Sequence, residues 1–311
     1  MIVSIAFLLG QTLMYASPLI FTSLGGTVSE NSGVVNIGLE GMMVVGAFTA
    51  AAVGYFSGNA WVGLFAAGVA AGCFGLLHAV ACVTFNADHV VSGIAINFLG
   101  PGISYFVSRL LFDGATQTRS LGLDNKIPRP LNGVFASNSV PDLLLNRYAT
   151  AYLAVVAVAA VWFVLYRTRL GLRIRAVGEH PEAADTLGVD VKLVRYVSVV
   201  ASGFFAGLGG GTLSIAIISQ FRPGLISGQG FIALAAVIFG KWRPQGAFAA
   251  CLLFGFAQAL VVFLGLRTDA LPTQIMSMLP YALTLVVLVG FVGRSAAPRA
   301  IGRPFGAGET T

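Results

Sequence analysis

The chain has 311 residues, of which 57% are hydrophobic and only 10% are charged, and its mean hydropathy is +0.86. Because a soluble domain carries about 25% charged residues, this composition excludes the soluble class and indicates a protein that crosses a lipid bilayer several times. The net charge of +6 does not indicate a nucleic-acid partner. The basic residues lie between and beside apolar runs, where membrane orientation and contact with lipid headgroups account for them.

Eight apolar runs approach or exceed the length of about 20 residues that a membrane-spanning helix needs. In chain order they lie at residues 2–22, 36–56, 60–84, 88–112, 148–166, 193–218, 246–266 and 273–293. We therefore expect an all-α, polytopic inner-membrane bundle of about 8–10 membrane segments, some of them broken or re-entrant. Residues 1–295 are predicted to form a single transmembrane domain with an external loop at about 113–147, and 296–311 a flexible cytoplasmic tail.

Two segments are predicted to be broken or re-entrant. Residues 228–240 are too few for a full span; they begin at Gly-Gln-Gly and are followed by Lys-Trp-Arg. Residues 24–33 are polar and rich in glycine between two spans. Transporters use short, glycine-interrupted segments of this kind, and irregular backbone at membrane depth is tolerated only where protein buries it or water reaches it.

The two halves of the chain show a weak internal repeat. Residues 38–47 resemble residues 227–236, and a glycine cluster followed by threonine precedes each copy, at 25–27 and 209–212. With alternating spans the two copies cross the membrane in opposite directions, as an inverted repeat requires, and inverted repeats place the substrate path at their interface. Chance similarity among small apolar residues is the alternative explanation.

Residues 167–195 form a charged island in a chain that is otherwise poor in charge. If successive spans cross the membrane in opposite directions, eleven Lys and Arg residues lie on the same side of the membrane as this island and seven lie on the other side. The bias predicts that the island and the C-terminus are cytoplasmic and that the N-terminus is outside. Three cysteines lie inside apolar runs without the spacing of a metal site or a disulfide, so we expect neither.

A very short helix is predicted within the island, from Pro181 to Leu187. Proline suits the first helical position, Glu182 and Asp185 favour the positive end of the helix dipole, and Gly188 can take the left-handed position that ends a helix. Two turns are not stable alone, so the helix must be docked. It either touches a partner or is a solvated helix that rests on its own membrane domain.

The sequence Glu-Ala-Ala, three residues, Gly at 182–188 resembles the EAA-type loop of permease subunits of bacterial ABC importers. Residues 30–43 resemble the N-terminal signature of the simple-sugar and nucleoside branch, which is related to the ribose and branched-chain amino acid permeases. Residues 171–179 and 235–242 are similar to the same family, and the resemblance covers roughly residues 10–293. The Ile-x-Leu-Pro ending of other importer permeases is absent after Gly188, which disfavours the maltose-type branch.

The resemblance implies a transmembrane subunit of the bacterial plasma membrane that pairs with a second permease, for which the family favours a paralogue. It also implies two cytoplasmic ATPases, an extracytoplasmic substrate-binding protein and a coupling helix that enters a groove on the ATPase. In this sequence the coupling residues are Gly178, Glu179, His180, Pro181, Glu182, Ala183, Ala184, Asp185 and Gly188. The chain has no G-x-x-x-x-G-K-[ST] motif. We therefore expect no cofactor and no enzyme activity in this chain, with ATP and magnesium on the partner ATPase.

Polar and aromatic residues inside the spans are the candidates for the substrate path, because amides and hydroxyls suit sugar hydroxyls and aromatic rings stack on a base or sugar ring. They are Asn36, Glu40, Ser92, Asn97, Phe98, Tyr105, Gln220, Gln229, Phe231 and Gln258. Each could instead serve helix packing. Glu40 has two interpretations: a polar gate or substrate contact, or a carboxylate that caps the glycine-rich turn from Gly33. We favour the cap, because Glu40 is near the start of its span.

Two other function classes compete with an ABC permease. An ion-coupled secondary transporter of a small polar solute needs ionisable residues inside its spans, and Glu40 is the only candidate. An intramembrane enzyme needs a catalytic constellation, and three histidines scattered over three segments supply none. The sequence therefore favours a permease for a nucleoside or simple sugar, without identifying the substrate.

Overall fold

The computed structural model describes residues 2–122, 126–137, 139–265, 278, 282 and 297–306, and these residues contain helices but no strand. The helices are α1 (Ile2–Asn31), α2 (Leu39–Ser57), α3 (Ala60–Ala79), α4 (His89–Leu111), α5 (Val140–Leu145), α6 (Ala149–Arg167), α7 (Arg169–Glu179), α8 (Pro181–Thr186), α9 (Val191–Gly211), α10 (Gln229–Phe239) and α11 (Pro244–Gly265). Two π-helical turns, Val80–Thr84 and Thr212–Ile218, extend α3 and α9.

Seven helices in the described part of the chain are long and apolar enough to cross a membrane. They correspond in order to the first seven predicted spans, which confirms an all-α polytopic bundle. The eighth predicted span, 273–293, lies outside the described residues. In its described residues, the predicted external loop contains the short helix α5, whose N-cap Ser139 accepts a hydrogen bond from the backbone nitrogen of Asp142 at 3.3 Å.

The two largest clusters of buried hydrophobic residues in the described part of the chain both include residues of α9. Helix α1 packs against α5, α6, α9, α10 and α11, while α2 packs against α3, α4 and α9. Glycines permit the close approach of α1 and α9, because a Cβ atom on Gly209 would lie 2.6 Å from the carbonyl oxygen of Pro18 and one on Gly25 would lie 2.6 Å from that of Ser202.

The prediction of irregular backbone at residues 24–33 is wrong for most of that segment, because α1 continues to Asn31. Instead of bending the chain, Gly25 permits contact with α9, and Gly26 faces Val237 of α10 and Leu39 of α2. The Thr27 hydroxyl is satisfied inside the helix, where it donates to the carbonyl oxygen of Ser23 at 2.8 Å, and the Ser29 hydroxyl donates to the carbonyl oxygen of Val34 just beyond it at 2.7 Å. Only the short stretch from Ser32 to Gly38 is non-helical.

Contacts between distant segments define two ends of the bundle. At the end that carries α8, called the α8 end, the Asn31 side chain donates to the carbonyl oxygen of Trp242 at 2.9 Å. At the opposite end, called the loop end, the backbone nitrogen of Leu121 donates to the carbonyl oxygen of Ser219 at 2.8 Å, and Arg119 donates to the Tyr55 hydroxyl at 3.4 Å.

The two copies of the predicted repeat run in opposite directions between these ends. Helix α2 ends near Tyr55 at the loop end, whereas α10 ends at Phe239, close to Trp242 at the α8 end. Helix α10 has 11 residues, so it covers about 16 Å, or roughly half of a hydrocarbon core about 30 Å thick. Gln229 therefore begins this helix near the middle of the bundle, as expected for a broken segment.

Residues 297–306 are not the flexible tail that the sequence predicts. The backbone nitrogen of Ala300 donates to the carbonyl oxygen of Gly178 at 2.9 Å, and that of Gly302 to the oxygen of Gly33 at 2.9 Å. The buried guanidinium of Arg195 donates to the carbonyl oxygen of Arg303 at 3.0 Å, and Phe305 is buried. These bonds satisfy backbone groups at the ends of α1 and α7, which explains why the segment is docked.

Candidate coupling surface and substrate path

Helix α8 forms where the sequence predicts it, from Pro181 to Thr186 with Leu187 as its C-cap residue. Gly188 has φ +79°, the left-handed conformation that glycine adopts at no steric cost. Its backbone nitrogen donates to the carbonyl oxygen of Asp185 at 2.8 Å, and that of Val189 to the oxygen of Ala184 at 3.0 Å. Local capping rules therefore predict this element correctly.

The helix is seated by its apolar face and exposes its polar face. Pro181 and Ala184 are buried, and Ala184 belongs to the core cluster that includes Val177 and Val191. The other proposed coupling residues after α7 are exposed: His180, Glu182, Ala183, Asp185 and Gly188. Glu179, the last residue of α7, is also exposed. The exposed surface is thus acidic and lies at one end of the bundle.

Sequence reasoning gave no role to Leu187, which the structure leaves 84% exposed at the tip of α8. The sequence did contain a signal for this exposure. Leu187 follows Thr186, the last residue of α8, and precedes the left-handed Gly188, so it does not lie on the buried face of the helix.

Helix α7 was also not predicted within the charged island. Gly171, Ile174, Val177 and Gly178 are buried at spacings of three and four residues, which is a helical period that could have been detected. A Cβ atom on Gly178 would lie 2.1 Å from the carbonyl oxygen of Asn31, so α7 touches the end of α1 directly. The α7–α8 unit is consequently fixed to the central helix.

Glu40 joins the two halves of the repeat. Its carboxylate oxygens accept hydrogen bonds from the backbone nitrogens of Gly228 and Gly230, both at 2.7 Å. Glu40 is therefore a cap, but the prediction that it caps the turn from Gly33 is wrong: it caps the first turn of α10. The reason is tertiary, since a Cβ atom on Gly230 would lie 2.5 Å from the Glu40 Cα, which shows how closely the two helices meet.

Asn97, on α4, caps the start of α2 in turn. Its side-chain oxygen accepts a hydrogen bond from the backbone nitrogen of Gly41 at 2.8 Å, and its amide donates to the carbonyl oxygen of Ile37 at 3.0 Å. Glu40, Asn97 and the adjacent Gln229 are thus the candidates that the structure brings together. The side-chain oxygen of Gln229 is buried without a hydrogen-bond partner in the described part of the chain.

Two other candidates hold helices together. Asn36 is fully buried and donates to the Ser202 hydroxyl at 2.9 Å, while the Ser92 hydroxyl lies 2.8 Å from Nδ1 of His78. These contacts match the packing role that competes with substrate contact for polar residues inside spans.

The remaining candidates are spread over the bundle. Tyr105 lies against Phe221, with ring centroids 6.0 Å apart, near the loop end. Phe98 and Phe231 are exposed on the surface of the chain, at 78% and 48%. Gln220 and Gln258 are half-buried, and Gln258 belongs to α11, which packs mainly on α1 and α10.

One hydrogen bond that the sequence did not predict joins two distant segments at the α8 end. The indole nitrogen of Trp242 donates to a carboxylate oxygen of Glu30 at 2.5 Å, so the chain after α10 is tied to the end of α1. Both residues lie in segments that resemble the same family, at 30–43 and 235–242. Within the described ranges no three His, Cys, Asp or Glu side chains are grouped so that they could hold a metal ion.

This arrangement defines a membrane permease: two oppositely directed segments begin beside each other within a helical bundle, and a charged helix is docked at one end. Residues 8–288 match the family described as the permease component of the branched-chain amino acid transport system, and the chain belongs to this family. It is therefore a permease component of an ABC transporter and a multi-pass membrane protein.

Curated relatives cover nearly the whole chain. The guanosine ABC transporter permease protein NupQ of Bacillus subtilis is 46% identical over 97% of each chain. The nucleoside ABC transporter permease protein NupC of Lactococcus lactis is 38% identical over 96% of each chain. A putative glucose ABC transporter permease protein of Haloferax volcanii, TsgC13, is 38% identical over 94% of each chain.

Bacillus subtilis also has a second, more distant guanosine permease. The protein NupP is 26% identical over 94% of this chain and 83% of its own length. Two guanosine permeases of different sequence in one organism are what a pair of paralogous subunits would require.

Proposed function

We propose that this chain is the permease subunit of a bacterial ABC importer for nucleosides, and that it receives the energy of ATP hydrolysis on a separate ATPase through α8. In this proposal the α8 end is cytoplasmic, so residues 297–306 are cytoplasmic and the N-terminus is outside. ATP and magnesium belong to the ATPase subunits. The observation that supports the proposal is the placement of α8. This short helix exposes Glu182, Asp185 and Leu187, while Pro181 and Ala184 are buried against the bundle.

The contacts around α8 connect it to the long helices of the bundle. Gly178 packs on the end of α1, and residues 297–306 hold both Gly178 and Arg195, the latter near the start of α9. Helices α1 and α9 in turn contact α2 and α10. A displacement of α8 by the ATPase would therefore move the helices that bracket the contact between Glu40 and the first turn of α10.

The meeting point of α2 and α10 is the proposed centre of the substrate path. It holds an unpartnered amide oxygen at Gln229 and the cap residues Glu40 and Asn97, which can exchange hydrogen bonds with hydroxyl groups. A nucleoside carries the hydroxyls of its sugar and a base that can stack on an aromatic ring. NupQ, which is named a guanosine permease, is 46% identical to this chain, whereas the putative glucose permease TsgC13 is 38% identical, and this difference supports a nucleoside over a free hexose.

The second permease is proposed to be a paralogue that covers α4. This helix is largely exposed, and its outward apolar side chains would face lipid or another subunit. They include Val91, Ile94, Phe98, Phe106 and Leu110. A binding protein would deliver the substrate at the loop end, which carries the long polar segment between α4 and α6.

The test is ATP hydrolysis by the complex of both permeases and the ATPases in proteoliposomes, with binding protein and guanosine, cytidine or glucose. We expect nucleosides, but not glucose, to stimulate hydrolysis and uptake. Leu187→Asp should remove this stimulation, while Lys192→Gln, an exposed change nearby, should not. Uptake that collapses with the proton gradient and needs no ATPase would contradict the proposal and favour an ion-coupled transporter. Unchanged uptake in Leu187→Asp would refute the role of α8.

A further inference from the structure

A groove on the side of the bundle, near the α8 end, combines cations with aromatic rings. It has a volume of about 600 Å³, and the residues that line it include Trp162, Tyr166, Phe239, Lys241, Arg243 and Gln245. The first two belong to the last turns of α6, and the others surround the turn between α10 and α11. None of these residues belongs to the coupling helix or to the meeting point of α2 and α10.

Within the described residues, the two cations at the mouth of the groove, Lys241 and Arg243, take part in no ion pair. Both side chains are exposed. Two further arginines approach the aromatic wall: the Arg167 guanidinium lies 5.7 Å from the Trp162 ring centroid, and that of Arg175 lies 4.9 Å from the Tyr166 centroid. Such a cluster of cations attracts an anionic group.

The backbone of the α10–α11 turn, which carries Lys241 and Arg243, is tied to the end of α1. Between them, Trp242 is fixed by its indole bond to Glu30 and by its carbonyl oxygen, which accepts from Asn31. Lys241 and Trp242 both have positive φ values, 54° and 55°, which residues other than glycine adopt only when surrounding contacts enforce them. The backbone that carries the two cations is thus held in one conformation beside the groove.

The wall below the cations is apolar and faces outward. Only 28% of the spanning part of α6 is buried inside the chain, and Phe163 and Ile238 are more than a third exposed beside the groove. Tryptophan and tyrosine at the end of a spanning helix are typical of the boundary between hydrocarbon and headgroups. Basic pockets between helices at this depth suit the phosphate of an anionic lipid, whose acyl chains can cover the apolar wall.

We propose that this groove binds the headgroup of an anionic phospholipid, with Lys241 and Arg243 on the phosphate and Trp162 and Tyr166 at the glycerol and upper acyl level. The ligand class is a phosphodiester lipid such as phosphatidylglycerol or cardiolipin. The assignment to the cytoplasmic leaflet rests on the orientation in the proposed function, whereas the binding itself does not.

The test measures lipid retention by the purified permease–ATPase complex, using native mass spectrometry in a detergent that removes bulk lipid. Cardiolipin, phosphatidylglycerol, phosphatidylcholine and glycerol phosphate are titrated separately. We expect the anionic lipids to bind and phosphatidylcholine not to bind. Lys241→Gln with Arg243→Gln should weaken phosphatidylglycerol binding by about 25-fold, since each cation near a membrane surface contributes about a factor of five.

Arg169→Gln with Lys192→Gln removes the same charge from exposed positions outside the groove and serves as the matched control. Equal weakening in both double variants would overturn the proposal, because only net charge would then matter. Equal binding of phosphatidylcholine, or of glycerol phosphate without acyl chains, would overturn it as well. Leu187→Asp should keep full lipid binding, so a failure of the coupling proposal is distinguishable from a failure of this one.

Discussion

The Oε2 atom of Glu40 lies 2.7 Å from the backbone nitrogen of Gly230, so a side chain from the first half of the chain caps a helix of the second half. Backbone N–H groups in the first turn of a helix have no partner within that helix. At membrane depth, where water is scarce, such groups must be satisfied by protein. The bond therefore stabilises the short helix α10 and fixes the two repeat segments to each other.

Replacing Glu40 should destabilise the permease through α10. Glu40→Ala leaves the nitrogens of Gly228 and Gly230 without acceptors, and we expect a loss of about 2–3 kcal/mol, the value typical of hydrogen bonds to a charged group. Glu40→Gln keeps one acceptor oxygen and should lose less. Thermal inactivation of the purified complex measures the effect. A raised KM for nucleoside in Glu40→Gln, with unchanged thermal stability, would instead identify the carboxylate as a substrate contact.

Gly230→Ala should abolish transport by separating α2 from α10. The added Cβ would lie 2.5 Å from the Glu40 Cα, an overlap that only a movement of backbone can relieve. Gly102→Ala, within α4, is the control because a Cβ there meets no atom within 4 Å. Uptake per correctly assembled complex is the measurement. Equal activity of the two variants would show that the close approach of the helices is dispensable.

Gly178→Ala and Gly188→Ala should differ in their effect on coupling. A Cβ on Gly178 would lie 2.1 Å from the Asn31 oxygen, so α7 and α8 would have to move away from the end of α1. We therefore expect the Gly178→Ala variant to lose nucleoside-stimulated ATP hydrolysis. A Cβ on Gly188 meets nothing within 4 Å, although the positive φ costs about 1 kcal/mol for alanine. That variant should remain coupled. A coupled Gly178→Ala variant and an uncoupled Gly188→Ala variant would contradict the proposed role of the contact between α7 and α1.

Arg195→Met should release residues 297–306 without unfolding the bundle. The variant removes the donor to the Arg303 carbonyl, a charged hydrogen bond worth about 1.5–3 kcal/mol, and replaces the buried guanidinium with an apolar side chain of similar length. Trypsin should therefore cleave after Arg299 at least about tenfold faster. Lys192→Met, exposed on the same helix, should leave the cleavage rate unchanged; equal rates in both variants would contradict the prediction.

Elements governed by local rules could be predicted from the sequence. The seven spans follow from apolar length, and α8 follows from Pro181, the acidic first turn and Gly188, because capping and the helix dipole act within a few residues. The opposite directions of residues 38–47 and 227–236 followed from counting spans. The resemblance at 182–188 and 30–43 led to the family that the comparison then showed.

Contacts between distant segments were decided by tertiary structure alone. The sequence placed a carboxylate at Glu40 but not its partner, because Gly228 and Gly230 come near it only when α2 and α10 pack. The glycines of residues 24–33 suggested a break, yet Gly25 packs against α9 and Gly26 faces α10 and α2 within a continuous helix. The sequence predicted that the segment 297–306 belongs to a flexible tail. In the structure, its backbone nitrogens donate to the carbonyl oxygens of Gly33 and Gly178, which lie far away in the sequence.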